Sequence, residues 1–291
     1  MPELPEVEVT RRCIAPLLVG RRIRRVRTTG ASYLFITPPE RLRRGLTGRT
    51  VESLGRQGKY LLAELDGGSR LVVHLGMTGQ LFAASAASPR LLSASARVAL
   101  PPEAQVGFRP DAHTHLRLSF EDEGCAVYLR DVRKFGKVLL LAPGERHPRL
   151  ERLGEDALGV QGASLFRATR RRALAIKSVL LDQSLIAGVG NIYADESLHL
   201  AGVRPTRRAG RVTRRECDAI AEGLRSVLRR SIETGGASIS DYVGPDGADG
   251  SYQDERRVYA RTGAPCPSCA APIRRIVIGQ RSSHYCPRCQ R

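Results

Sequence analysis

Four of the chain's seven cysteines fall in its last 26 residues, as Cys266-Pro267-Ser268-Cys269 and Cys286-Pro287-Arg288-Cys289, with 16 residues between the two turns. Each Cys-x-x-Cys turn aims two sulfurs at one point, and the stretch from Ile273 to Tyr285 has the length of a hairpin. The tail is therefore expected to wrap a single tetrahedral ion as a four-thiolate ribbon, with one zinc on Cys266, Cys269, Cys286 and Cys289. Sulfur in all four positions leaves no place for a reacting water, so the expected role of the metal is structural. Two redox pairs or an iron site are the alternatives the spacing leaves open. Cys13, Cys125 and Cys217 are scattered singly, which suits a local metal site in a reducing compartment better than a disulfide framework.

A chain of 291 residues has room for two domains with their own cores. Lys and Arg number 47 against 29 Asp and Glu, a net charge of +18 that favours a polyanionic partner, most commonly nucleic acid. An arginine preference set by genome composition explains part of the basic count but not the imbalance over acids. No apolar run approaches the length of a membrane span, and the acidic, proline-bearing amino terminus is unlike a signal peptide. The expectation is a cytoplasmic protein with no membrane partner.

The pattern changes character near the middle. Val7 to Leu18 reads as a helix ended by Gly20, and Arg21 to Arg27 as a basic, solvated strand. Short β-rich runs then alternate with turns: Val51 to Leu54, Tyr60 to Leu65, Leu71 to Leu75, Leu116 to Phe120, Ala126 to Leu129 and Val138 to Leu141. These predict the hairpins of a sandwich or barrel. Ala83 to Ala112, rich in Ala, Ser and Pro, reads as a long surface loop. Pro143 to Pro148 reads as a domain boundary, and beyond it helices are predicted over Ala163 to Thr169, Ala173 to Asp182, Tyr193 to Leu200 and Arg214 to Thr234. Gly188-Val189-Gly190-Asn191 lies between two of these helices, where a sharp backbone turn can present amides to a phosphate. Gly235 to Tyr252, rich in Gly, Ser and Asp, reads as a mobile loop.

The amino terminus, Met1-Pro2-Glu3-Leu4-Pro5-Glu6-Val7-Glu8, places a proline after the initiator methionine and carboxylates close behind it. With Met1 removed, Pro2 offers a secondary amine that can attack an electrophilic carbon and form an iminium, with Glu3 beside it to move protons. An α-amino group titrates near ~8 against ~10.4 for lysine, which gives up to roughly a hundredfold more unprotonated amine at neutral pH. The alternative is a helix cap, with Pro2 and Pro5 at the helix start and Glu3 and Glu6 at the positive end of its dipole. Residues alone leave both readings open.

The order of motifs resembles that of the formamidopyrimidine-DNA glycosylases, bacterial enzymes that excise oxidised purines. It runs from Pro-Glu-Leu-Pro-Glu-Val-Glu through Gly58-Lys59-Tyr60-Leu61, His74-Leu75-Gly76-Met77-Thr78-Gly79, Asp131-Val132-Arg133-Lys134-Phe135-Gly136 and Gly188-Val189-Gly190-Asn191-Ile192-Tyr193 to the four cysteines. The resemblance implies an α+β, two-domain architecture. An N-terminal β-sandwich with a leading helix (1–142) is followed by a helical helix-two-turns-helix domain (149–258) and a zinc ribbon (259–291), with DNA crossing between the domains.

It implies a bifunctional glycosylase and abasic-site lyase acting on damaged double-stranded DNA as a monomer. Pro2 would be the nucleophile, Glu3 the general acid, Lys59 an assistant in the chemistry, and Arg281 a phosphate contact that assists the second elimination. His74, His113, Arg172, Lys177 and Asn191 would contact DNA. Met77, Arg133 and Phe135 would fill the gap left by the flipped nucleotide, with core packing as the alternative for Met77 and Phe135. Ser251-Tyr252-Gln253 departs from the family's usual Gly-Tyr-Phe. Two other readings stay open: a non-catalytic DNA-binding protein built on the ribbon, and the sister class directed at oxidised pyrimidines.

Overall fold

The computed structural model describes residues 2–83, 110–238 and 242–291. It divides into two compact units, one of Met1–Leu150 with Thr234–Ser251 and one of Glu151–Glu233 with Tyr252–Arg291. The first is a sandwich of two antiparallel four-stranded sheets behind a leading helix. Helix α1 (Leu4–Leu18) starts earlier than its apolar periodicity suggests, because Pro5 lies in the first turn, where its missing N–H costs no helical bond. Leu4, Val7, Ile14 and Leu18 bury one face of it.

Strands β1 (Ile23–Thr28), β2 (Val51–Gln57), β3 (Tyr60–Leu65), β4 (Arg70–His74), β5 (Gly79–Ala83), β6 (Thr114–Phe120), β7 (Val127–Asp131) and β8 (Lys137–Leu141) follow. They pair in the orders β1-β6-β7-β5 and β2-β3-β4-β8. Leu54, Leu61 and Val73 of one sheet share a core with Leu81, Leu116, Leu118 and Val127 of the other and with Ile14 and Leu18 of α1.

A helix that the pattern did not predict, α2 (Pro39–Leu46), buries only Pro39, Leu42 and Leu46 among charged neighbours. The predicted loop of residues 83–112 lies almost wholly outside the described residues. The second glycine-rich segment differs from expectation where it is described. Ser238, Tyr242 and Val243 are buried, Ala237 N–H donates to Glu6 Oε1 at 2.9 Å, and the Tyr242 hydroxyl donates to the Glu6 carbonyl at 3.2 Å. This part of the segment belongs to the sandwich unit and packs on the first turns of α1.

The second unit holds α3 (Gly162–Thr169), α4 (Ile176–Leu181), α5 (Asn191–Leu200) and α6 (Arg214–Glu233), with a hairpin of β9 (Arg274–Ile278) and β10 (Arg281–Tyr285). Helix α4 begins three residues later than predicted, because Ala175 is extended (ψ 143°) and bridges to Arg208. Among the described residues no helix is long and apolar enough to cross a membrane.

Candidate active site, nucleic-acid face and zinc centre

In the sandwich unit Pro2 and Glu3 are buried at the head of α1, and Glu3 is the N-cap residue. Glu6 Oε2 accepts the Glu3 N–H at 2.8 Å, half of a capping box that fixes the backbone direction at the chain's start. The helix-cap reading of these residues and the chemical one are thus compatible, since the cap itself holds Pro2 and Glu3 in place.

Lys59 sits in the two-residue β2–β3 turn, where Gly58 takes φ 55°, a left-handed conformation that suits glycine. The turn is tied to α1 by Arg56, whose Nη1 donates to the Gly58 carbonyl at 2.8 Å while its Nε donates to Glu8 Oε2 at 3.2 Å. Burial raises the Glu8 carboxyl, but hydrogen bonds from Arg11 and Arg12 and the charges of Arg11 and Arg56 outweigh it and bring it to about 2. A permanently ionised Glu8 therefore joins the helix that carries Pro2 and Glu3 to the turn that carries Lys59.

His74 closes β4 beside that turn, its ring 4.7 Å from the Tyr60 ring. Burial, then the charges of Lys59, Arg149 and Lys137, push it down to about 4, so it is neutral at pH 7. The Gly76 N–H donates to its Nδ1 at 3.1 Å, which places the ring proton on Nε2 as a donor.

Met77 is 37% exposed and Phe135 46%, which excludes core packing for both. The Arg133 guanidinium lies 4.5 Å from the Phe135 ring centre. The two loops that carry them meet at Asp131, which is fully buried. Its carboxylate accepts from the Thr78 hydroxyl and from the Gly136 N–H at 2.8 Å, and the Thr78 hydroxyl in turn accepts the Arg133 N–H at 3.1 Å. Gly76 (φ 65°) leaves no room for a Cβ, which would lie 2.5 Å from Gly136 N. Half-exposed His113 joins the same cluster through its carbonyl, which accepts the Asp131 N–H at 2.9 Å.

In the second unit α5 opens after Gly190, and the Asn191 Nδ2 donates to the Ser282 carbonyl at 2.9 Å. Arg172 is half-buried, with Nε on the Ala168 carbonyl at 2.8 Å. Lys177 corrects the expectation of a phosphate contact. It is 0% exposed, its ammonium lies 2.6 Å from Asp195 Oδ1, and it donates to the Ser282 carbonyl at 2.8 Å. A charge so placed is committed to its buried partner and cannot meet solvent-borne phosphate without breaking that pair.

Asp195 also accepts from the Ser283 hydroxyl at 2.9 Å and the His284 N–H at 2.8 Å. Lys177, Asn191 and Asp195 together therefore grip the three residues that follow Arg281. Arg281 itself is exposed, directly after a turn in which Gly279 (φ 54°) and Gln280 (φ 64°) are both left-handed, as a type I′ hairpin requires.

The cysteine sulfurs approach in pairs, Cys266 to Cys289 at 3.9 Å and Cys269 to Cys286 at 3.4 Å, and all four lie within 4.8 Å of one another. Zn–S bonds of about 2.3 Å in a tetrahedron set sulfurs about 3.8 Å apart, so the set fits one ion. The four cysteines form a structural zinc centre.

Sequence reasoning missed Glu8, Arg56, Asp131, Asp195 and Glu196 as organisers, whereas the cap at Glu6 was among its readings. Glu196 accepts the Arg257, Val258 and Tyr259 N–H groups at 2.8, 3.0 and 2.8 Å, tying α5 to the segment that leads into the ribbon. The signal in α5 was available: Asn191, Asp195 and His199 recur every four residues, marking a polar stripe along one side of the helix.

Comparison with known proteins gives three family matches. Residues 1–138 match the formamidopyrimidine-DNA glycosylase N-terminal domain, residues 153–243 its H2TH domain, and residues 263–291 the zinc finger found in FPG and IleRS. The formamidopyrimidine-DNA glycosylase of Methylococcus capsulatus is 43% identical over 294 residues, covering 100% of both chains. The MutM (FPG) protein of Thermus thermophilus is 37% identical with a TM-score of 0.83, over 99% of this chain and 98% of that one. A Lactococcus lactis FPG mutant in complex with a Fapy-dG containing DNA is 31% identical with a TM-score of 0.85, over 100% of both chains. On full-length identity and on matches to all three family segments, the chain belongs to the formamidopyrimidine-DNA glycosylase family.

Proposed function

We propose that the protein is a bifunctional DNA glycosylase and abasic-site lyase of base excision repair, which removes oxidised purines such as 8-oxoguanine and formamidopyrimidines. The observation that carries the reading is the buried Pro2-Glu3 pair at the head of α1, joined through Glu8 and Arg56 to the turn holding Lys59. With Met1 removed, the Pro2 amine attacks C1′ of the damaged nucleotide as the glycosidic bond breaks and the base leaves, taking up the proton the amine sheds; Glu3 then protonates the sugar ring oxygen as the C1′–O4′ bond opens and the Pro2 nitrogen becomes an iminium. The iminium that results acidifies the C2′ proton, whose loss expels the 3′ phosphate. A second elimination expels the 5′ phosphate. Lys59 assists the first steps and Arg281 the second elimination.

The target atom lies inside the base stack, so the nucleotide must first leave it at a cost of a few kcal/mol. Exposed Met77, Phe135 and Arg133 fill the gap, with Arg133 turned toward the orphaned base. His74 through its Nε2–H, His113, Arg172, the amides at the start of α5 with Asn191, and Arg281 take phosphates. Lys177 is assigned to positioning the Arg281 turn. Monomeric action in the cytoplasm completes the reading.

The test is incubation with duplexes that each carry one defined lesion. Strand cleavage at 8-oxoguanine and formamidopyrimidine sites, with a loss of about 10²- to 10⁴-fold in Glu3→Gln, is expected. Preference for an oxidised pyrimidine would favour the sister class. Binding without cleavage of any lesion would favour a non-catalytic DNA-binding protein.

A further inference from the structure

The polar stripe of α5 ends at His199, which none of the roles above uses. The side chain is buried, and its Nε2 lies 3.4 Å from the Cys266 sulfur. Its Nδ1 is buried with no hydrogen-bond partner among the described residues. A zinc-bound thiolate has no proton to give, so the proton of this contact resides on Nε2 and His199 is the donor.

Among the described residues, the other donors to these sulfurs are backbone amides within the turns themselves. Ser268 N–H reaches Cys266 Sγ at 3.4 Å, and Cys289 N–H reaches Cys286 Sγ at 3.3 Å. His199 comes from a different element. Four thiolates on one Zn²⁺ leave a net charge of about −2 in a partly buried place. A donor on Cys266 withdraws charge from that sulfur. It also fixes the first knuckle to the last turn of α5. The second knuckle is fixed just beyond the same helix, where Gln290 takes the Cys286 N–H on Oε1 at 2.8 Å and donates its Nε2 to the Val203 carbonyl at 2.9 Å.

We infer that His199 is a positioning residue of the zinc centre: its Nε2–H binds the Cys266 thiolate, retains the metal and docks the ribbon on α5.

The test uses the full chain. In the wild type loaded with NMR-active cadmium, the ring nitrogen shifts should report the Nε2–H tautomer, with a scalar coupling from the metal to that proton across the sulfur. An Nδ1–H tautomer, or no coupling, overturns the inference without any variant having to fold. In cobalt-loaded protein His199→Phe should shift the sulfur-to-metal charge-transfer band, and in zinc-loaded protein it should weaken metal retention against a chelator about 10- to 100-fold. His199→Gln, whose amide can reach the same sulfur, should restore most of both. Wild-type spectra and retention in His199→Phe, or a Gln variant no better than Phe, would contradict it.

Discussion

The two ends of the chain carry function by opposite means. At the amino end the candidate chemistry resides in two adjacent residues that a helix cap holds, with Glu6 one turn away and Arg56 linking the helix to the Lys59 turn. At the carboxyl end the exposed Arg281 stands on a hairpin with little core of its own. Its position depends on four sulfurs and on two helices far earlier in the chain, through Asn191 and Asp195 of α5 and Lys177 of α4. Adjacent residues on one cap keep the effect of a substitution local to the head of α1. A turn held by distant partners loses its place when any of them fails.

The sharpest separation comes from the metal. Cys286→Ser should release the zinc, whose binding in small ribbons amounts to about 10–16 kcal/mol of folding free energy. DNA affinity should collapse while the sandwich unit keeps its thermal transition, as calorimetry and metal analysis would show. A metal-free variant with full affinity would erase the distinction between the ends.

Next in size is the buried pair. Lys177→Met leaves Asp195 uncompensated and should cost about 3–5 kcal/mol in the second unit, whereas Lys177→Met with Asp195→Leu should recover part of it. Denaturant titration of both variants decides this. A single variant as stable as the wild type would mean that the pair does not hold the Arg281 turn.

These organisers mark the limit of what the sequence shows. The sulfur spacing announced the ribbon because Cys-x-x-Cys geometry is local, and alternating Tyr60 to Leu65 announced a strand for the same reason. Helix α2 was not legible, since two leucines four residues apart among arginines look like a solvated run. Asp131 and Lys177 were read through the motifs around them. Only folding shows that Asp131 joins two loops some fifty residues apart, or that Lys177 points inward at Asp195.

A smaller effect is expected on the sandwich face. Phe135→Ala should lower excision of an oxidised purine from duplex roughly tenfold or more, with less effect at a ready-made abasic site, where no base remains to be flipped. Because the ring is 46% exposed, stability should change by no more than about 0.5 kcal/mol. Equal losses on both substrates would mean that Phe135 does not act in extruding the base.

A further effect is one of pH, which appears only outside the neutral range. His74 is held at about 4 in the folded protein against an ordinary 6.5. The unfolded chain therefore binds the extra proton first. The stabilisation is complete above about pH 6.5 and is lost as pH falls through about 4, a difference of at most about 3 kcal/mol relative to His74→Phe. Melting curves of the two proteins across that window should converge at low pH. Parallel curves would mean that His74 is not held neutral.

The central claim is that Pro2 is the nucleophile, and borohydride trapping during turnover tests it directly. Reduction should leave the protein covalently joined to lesion-bearing DNA, with the bond mapping to the amino-terminal peptide. A chain that retains Met1 should neither excise nor trap, since its Pro2 nitrogen is a tertiary amide with its lone pair in resonance. Efficient trapping by a chain with a confirmed blocked amino terminus, mapped to Lys59, would contradict the account.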